Sequence, residues 1–323
     1  MFRWPARFAL TALLGAGVLL PQQIPTIRVD VNLVHVVATV KNRAGDLVGT
    51  LRKEDFEIYD NGVLQEIKVF QRQTEQPLSI ALVMDTSGST GKEMRYEITA
   101  AQGFLRALLS EGNAGDAVSL YSFNYDVTLL QSFTRNYASL ERQFKLLHGE
   151  GGSSVYDAVY FAARDLEDRE GRKVIVIVTD GGDTTSSRTL KEALKEAHFA
   201  DAVVYPVVVM PITNDAGRNV GGENAMEFMA AGTGGRTFLP SGAAQLDRAF
   251  ADIIQELRTQ YELAFYPRNV PVKKDPFHRL EVRVASSELR VSARNGYYGE
   301  SEETAGLPGD RISVTPDRKK KIR

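Results

Sequence analysis

The chain has 323 residues, 43% hydrophobic and 25% charged, which is enough apolar material for one large domain and a smaller one. Its 39 Lys plus Arg nearly balance 41 Asp plus Glu, so it lacks the global field that would attract nucleic acid. With no cysteine, disulfides, thiolate metal sites, thiol nucleophiles and a lipid-bearing cysteine are excluded, and any metal must be held by oxygen or imidazole.

Arg3 and Arg7 precede the apolar run Phe8 to Leu20, which stops at Pro21. That layout matches a secretory signal, so residues 1–24 are assigned to a signal or anchor segment. The run is short for a membrane span of ~20 residues. Export to the periplasm, cell surface or medium is therefore expected, with membrane contact only where this segment stays uncleaved.

Residues 25–76 read as strands, the first half of a β-sandwich. Ile27 to Val31 alternates, Leu33 to Val40 is rich in β-branched residues, and Phe56 to Ile67 reads as a hairpin around Asp60-Asn61-Gly62. The texture changes over residues 77–258, where apolar runs alternate with helical periodicity. Leu78 to Met84, Ala117 to Asn124, Val174 to Thr179 and Val203 to Val209 read as strands. Met94 to Leu109, Leu140 to Leu147, Val155 to Leu166, Leu190 to Phe199 and Ala243 to Leu257 read as helices. The turn between Asn124 and Val127 is too short for a crossover helix, so Val127 to Phe133 must pair antiparallel.

Strand texture returns over 259–299, in Tyr261 to Tyr266, Arg279 to Val284 and Leu289 to Ala293. Neither strand-rich end has enough strands for stability alone, where roughly three or more are needed. The fold class is therefore α/β: a doubly wound, mostly parallel sheet with one antiparallel edge strand, inserted in a small antiparallel β-sandwich built from both chain ends. Residues 300–323, including the basic run Arg318 to Lys321, read as a disordered, solvated tail.

The chemistry concentrates in three loops. Asp85-Thr86-Ser87-Gly88-Ser89 follows a buried strand and precedes a helix, so it lies at the carboxyl edge of the sheet, where open α/β folds bind ligands. One carboxylate and two hydroxyls at alternate positions suit a hard cation. Gly151-Gly152-Ser153-Ser154 opens the helix carrying Tyr156 and Asp157, and Thr179-Asp180-Gly181-Gly182-Asp183 ends a strand. In a doubly wound sheet these loops converge, with Asp157 and Asp183 as supporting acids. The same residues also suit helix caps and turns, for the same hydroxyl and carboxylate reasons.

Asp85-x-Ser87-x-Ser89, Ser153 and Asp180 resemble, in order and spacing, the metal-ion-dependent adhesion site of von Willebrand factor type A domains. The likeness runs over about Leu78 to Leu257. The flanks, with Phe56 to Gly62, Tyr261 to Pro267 and Arg294-Asn295-Gly296-Tyr297-Tyr298, resemble exported acidobacterial proteins carrying such a domain. The resemblance implies a Rossmann-like fold with one divalent cation. It implies direct ligation by Ser87, Ser89 and Ser153, with Asp85 and Asp180 acting largely through water or hydrogen bonds. The family commonly has threonine where this chain has Ser153, which keeps the hydroxyl and loses the methyl, and Ser154 is the alternative third ligand.

A cation held mainly by neutral hydroxyls keeps excess positive charge and accepts a carboxylate. The expected function is a non-enzymatic, cation-dependent protein-binding module that captures an Asp or Glu of a partner protein. Mg2+ is the first choice, with Mn2+ or Ca2+ as alternatives, and no nucleic-acid partner is expected. Loops Asn124 to Val127, Thr184 to Arg188 and Asn214 to Gly222 are expected to set specificity.

Two other readings compete. Ser89-Thr90-Gly91-Lys92 fits the S-x-x-K nucleophile pattern of a serine acyl hydrolase, although no Ser-Asp-Asn or Lys-Thr-Gly follows. A metal-independent structural scaffold is the other, since folds persist without their sites. A phosphate loop fails, because Thr86 stands where its first glycine belongs and Glu93 follows Lys92. His35, His148, His198 and His278 are scattered and form no HExxH pair, so they read as surface or core residues.

Overall fold

The computed structural model describes residues 33–72, 76–90, 93–209, 219–271 and 274–299, and its strands form three sheets. The expected signal segment, the strand Ile27 to Val31 and the tail 300–323 lie outside these residues.

Strands β1 (Val34–Lys41), β2 (Phe56–Asp60), β3 (Val63–Gln65) and β4 (Ile67–Arg72) come first. The α/β segment runs β5 (Leu78–Asp85), α1 (Met94–Glu111), β6 (Ala117–Phe123), β7 (Val127–Thr134), α2 (Tyr137–Phe144), α3 (Val155–Glu167) and β8 (Arg172–Thr179). It continues with α4 (Leu190–Phe199), β9 (Ala202–Val208), α5 (Val220–Thr233) and α6 (Ala243–Thr259). Strands β10 (Tyr261–Phe265), β11 (Phe277–Val284), β12 (Arg290–Ala293) and β13 (Gly296–Tyr298) complete the order.

Both chain ends build the sandwich. One antiparallel sheet has the order β12-β1-β10-β4 and the other β13-β11-β2-β3. The register Val34↔Phe265 through Ala38↔Tyr261 joins the two ends directly. Alternation drives this packing: Phe56 and Ile58 of β2 and Leu280 and Val282 of β11 turn inward onto Val36, Leu263 and Phe265. The expected turn forms at Asn61 and Gly62, both with positive φ (48° and 84°), as a two-residue hairpin requires. Ile67 does not extend that hairpin, because β4 crosses to the other sheet and pairs with β10.

The inserted sheet has the order β7-β6-β5-β8-β9, parallel except for β7. Every residue of β5 is buried, as a central strand covered on both faces must be. Helices α1, α2 and α6 cover one face, where Phe104 stacks on Phe250 with ring centroids 4.9 Å apart. On the other face lie α3, α4 and α5, and the small inward residues Ala158, Ala162 and Ala163 let α3 approach the strands closely. Entry and exit of the insertion meet on Arg172. Its backbone N–H donates to Pro77 O at 3.0 Å and its guanidinium to Gln260, whose Nε2 donates to Thr39 of β1 (3.0 Å) and Tyr205 of β9 (2.7 Å).

Two helices differ from expectation. Helix α2 begins at Tyr137 because the Asn136 side chain accepts from Ser139 N at 3.2 Å, and it ends at Phe144 rather than Leu147. Helix α5 was not expected, since Gly221, Gly222 and Gly232 depress helix propensity. Asn219 caps it through Gly222 N at 2.9 Å, and Met226 and Met229 anchor it in the core, so packing overrides propensity. The expected loop Asn214 to Gly222 is described only from Asn219, and its last three residues are helical. Among the described residues no helix is long and apolar enough to cross a membrane.

Candidate metal centre

The chain runs outward from β5 to β6 and β7, then returns to the far side of β5 as β8. The crevice between the carboxyl ends of β5 and β8 is thus the topological switch point, the place where such sheets bind ligands. The pairing of Met84 with Val178 sets Asp85 beside Thr179 there. Asp85 is 1% exposed. Its Oδ1 accepts from Ser87 N at 2.8 Å, while Oδ2 accepts from Thr179 Oγ1 at 2.6 Å and Ser153 Oγ at 3.1 Å.

Around this carboxylate the three loops converge as expected. Gly88 N donates to Gly151 O at 3.0 Å, and Glu150 N to Thr86 O at 2.9 Å, so the first two loops are stitched together by backbone. Thr184 N and Thr185 N donate to Ser153 O at 2.8 and 3.1 Å, which ties in the third. The hydroxyls of Ser87 and Ser89 lie 3.0 Å apart, with Ser89 exposed. Asp180 is half-buried, and its Oδ1 accepts from Gly182 N at 3.0 Å. Gly181 takes positive φ (85°) immediately after it, a turn that favours glycine.

None of these side chains caps α1 or α3. Helix α1 is preceded by Glu93 and α3 by Ser154, and neither makes a side-chain capping bond. Ser154 turns away from Asp85: its hydroxyl donates to Tyr125 O at 3.0 Å and meets Thr185 Oγ1 at 2.7 Å. Of the two serines, Ser153 is the one on the carboxylate. Asp157 and Asp183 shape the neighbouring loop instead. Asp157 accepts from Ser187 N (2.9 Å) and Arg188 N (2.8 Å), and Asp183 from Ser186 Oγ at 2.5 Å. Of the five, only Ser89 is exposed: Asp85, Ser87 and Ser153 are buried and Asp180 is half-buried.

Sequence reasoning missed two residues. Thr179 donates the shortest bond to Asp85, and its signal was a lone hydroxyl closing an apolar strand. Glu97 of α1 is 1% exposed, and its signal was an acid on the helix stripe of Met94, Ala101 and Phe104. Burial pushes the Glu97 carboxyl up to about 8, with further upward pressure from Asp85, Glu93 and Asp180. Burial also pushes Asp85 up to about 6, partly offset by the bonds from Thr179 and Ser87.

Among the described residues no group of three or more His, Asp or Glu has the geometry of a metal cage, so any cation here must lean on hydroxyl oxygens. The donor set suits a hard divalent cation: Asp85, Ser87, Ser89, Ser153 and Asp180 offer oxygen alone. The charges acting most on Asp85 and Glu97 are acidic, and a cation offsets them. For the hydrolase reading, Lys92 lies outside the described residues, and the partner of the Ser89 hydroxyl is the Ser87 hydroxyl rather than a base.

Residues 80–182, which include all five candidate ligands, match the family model of the von Willebrand factor type A domain. No curated protein matches the chain. Among solved structures, the vWF domain of the type V pili tip protein Mfa5 from Porphyromonas gingivalis is similar, at 16% identity and TM-score 0.48, over 56% of this chain and 95% of that one. So is the conserved hypothetical protein BatB from Bacteroides thetaiotaomicron, at 16% identity and TM-score 0.43, over 55% of this chain and 99% of that one. The PilB minor pilin from Streptococcus sanguinis shares 13% identity at TM-score 0.45, over 57% of this chain and 62% of that one.

Proposed function

We propose that this chain is a non-enzymatic, exported protein-binding module whose von Willebrand factor type A domain captures an acidic residue of a partner protein through one divalent cation, Mg2+ before Mn2+ or Ca2+. The observation that carries the reading is the convergence of Ser153 and Thr179 hydroxyls on the buried carboxylate of Asp85, beside the buried Ser87 hydroxyl and the exposed Ser89 that it meets. Ser87, Ser89 and Ser153 would hold the cation, with Asp85 and Asp180 behind them. When bound, it supplies a positive centre with coordination positions left for a carboxylate.

This chain's own residues do the rest. Asp85 gathers and orients the hydroxyls of Ser153 and Thr179, and Gly181 and Gly182 fold the turn that presents Asp180. Tyr125 is 62% exposed, and its ring lies against Gly151 and Gly152, where it offers an apolar contact beside the site. The loop Thr184 to Arg188, held by Asp157 and Asp183, forms another wall. Export rests on the basic and apolar pattern of residues 1–24.

The test is calorimetric titration of Mg2+ and Mn2+ into the chelator-stripped chain beside Asp85→Ala. Saturable one-to-one binding that disappears in the variant is expected. Peptide arrays rich in Asp and Glu should then retain the protein with Mg2+ present and release it in EDTA. A wild-type chain that takes up neither ion would sink the reading in favour of a metal-independent scaffold.

A further inference from the structure

Glu97 is anomalous among the buried acids. Glu256 pairs with Lys41 and Arg236, Asp60 bonds Tyr297 and His278, Glu262 bonds His35 and Gln76, and Asp116 accepts from Leu78 N. Both carboxylate oxygens of Glu97 are buried without any hydrogen-bond partner, the one such carboxylate among the described residues. A bare carboxylate in an apolar setting is costly, and such groups are ordinarily paired or placed against a metal. Helix α1 nevertheless carries this acid on its inward stripe, between Met94 and Ala101, where an apolar residue would pack at no such cost. Glu97 lies in the first turn of α1, tied back through Glu93 and Thr90 to the loop that follows Asp85, so it sits at the same carboxyl edge of the sheet as the candidate metal centre.

We propose that Glu97 is a positioning residue of that centre, accepting hydrogen bonds from water on the cation and supplying from behind the negative charge that the serine hydroxyls lack. The proposal rests on the cation reading above. A rear carboxylate of this kind strengthens the hold on the ion while leaving the exposed Ser89 side open to a partner. Carboxylates that act through water on a metal commonly account for about 10- to 100-fold in affinity.

The experiment compares the chelator-stripped full chain with Glu97→Gln, Glu97→Asp and Asp85→Ala, by Mn2+ and Mg2+ calorimetry and by thermal melts with and without Mn2+. Glu97→Gln should bind Mn2+ about tenfold or more weakly. Its metal-free Tm should equal or exceed that of the wild type, because a buried bare acid is gone, while its Mn2+-induced rise in Tm shrinks. Glu97→Asp, which keeps the charge and shortens the reach, should fall between the two in affinity. Affinity in Glu97→Gln within about threefold of wild type would overturn the proposal. So would Glu97→Asp binding no better than Glu97→Gln, or a drop in metal-free Tm with the Mn2+ response intact, which is the signature of a packing role. Failure of the wild type to bind Mn2+ is a separate outcome, because it removes the cation reading and this proposal with it.

Discussion

Where the sandwich meets the inserted domain, charges meet their opposites. Lys41 reaches Glu256 at 2.6 Å, Arg236 bonds the same carboxylate, and Arg294 bonds Asp201. At the carboxyl edge of the inserted sheet, Asp180 acts on Asp85, and Asp85, Glu93 and Asp180 act on Glu97. The junction is electrostatically closed, so its residues stabilise one arrangement of the two domains. The loop edge is open: burial, with neighbouring acids adding to it, raises the proton affinity of Asp85 and Glu97. Charges of a structural contact are balanced within the chain, whereas those of a binding site are balanced by what binds.

That contrast can be broken most severely at Glu256. Its side chain is 4% exposed and holds two cations, so Glu256→Ala should cost about 3 kcal/mol, the low end for a broken buried pair because Lys41 and Arg236 reach water. Urea denaturation would read the loss, and metal affinity should stay unchanged. A smaller effect, touching both regions, is expected from Gly222→Ala. An added Cβ would stand 1.8 Å from Gly181 O, so the first turn of α5 must push against the turn presenting Asp180. Overpacking of this kind costs about 1–3 kcal/mol, and a calorimetric titration should show weakened metal binding as well.

The pH dependence sharpens the comparison. Burial lowers His198 from its ordinary 6.5 to about 4, and its ring stacks on Phe277 of the sandwich with centroids 5.8 Å apart. The folded state therefore binds fewer protons than the unfolded state between these values. Its contribution is complete above about pH 6.5 and is lost as pH falls toward 4, at up to ~1.4 kcal/mol per unit. Thermal melts across that window should show the acid limb flatten in His198→Asn. The smallest effect separates two adjacent serines. Ser153→Ala should weaken Mn2+ about tenfold, in the range expected for a lost contact at the site, whereas Ser154→Ala should leave it within about threefold, because that hydroxyl serves Tyr125 O and Thr185.

Much of this molecule was written locally. Period-two alternation in β2 and β11, the unbroken apolar runs of β5 and β8, and the Asn61-Gly62 turn follow from residues a few positions apart. So did the oxygen-rich loops at Asp85, Ser153 and Asp180, since hydroxyl and acid spacing after a strand is visible without coordinates. Only the tertiary structure put the Thr179 hydroxyl on Asp85, turned Ser154 away from it and stabilised α5 despite its glycines. It alone left Glu97 buried without a partner and brought both ends of the insertion onto Arg172. The physical reason is range: periodicity and turn chemistry act between neighbours, whereas desolvation, the direction of a hydroxyl and the charges an acid feels depend on which distant segments the packed sheet brings together.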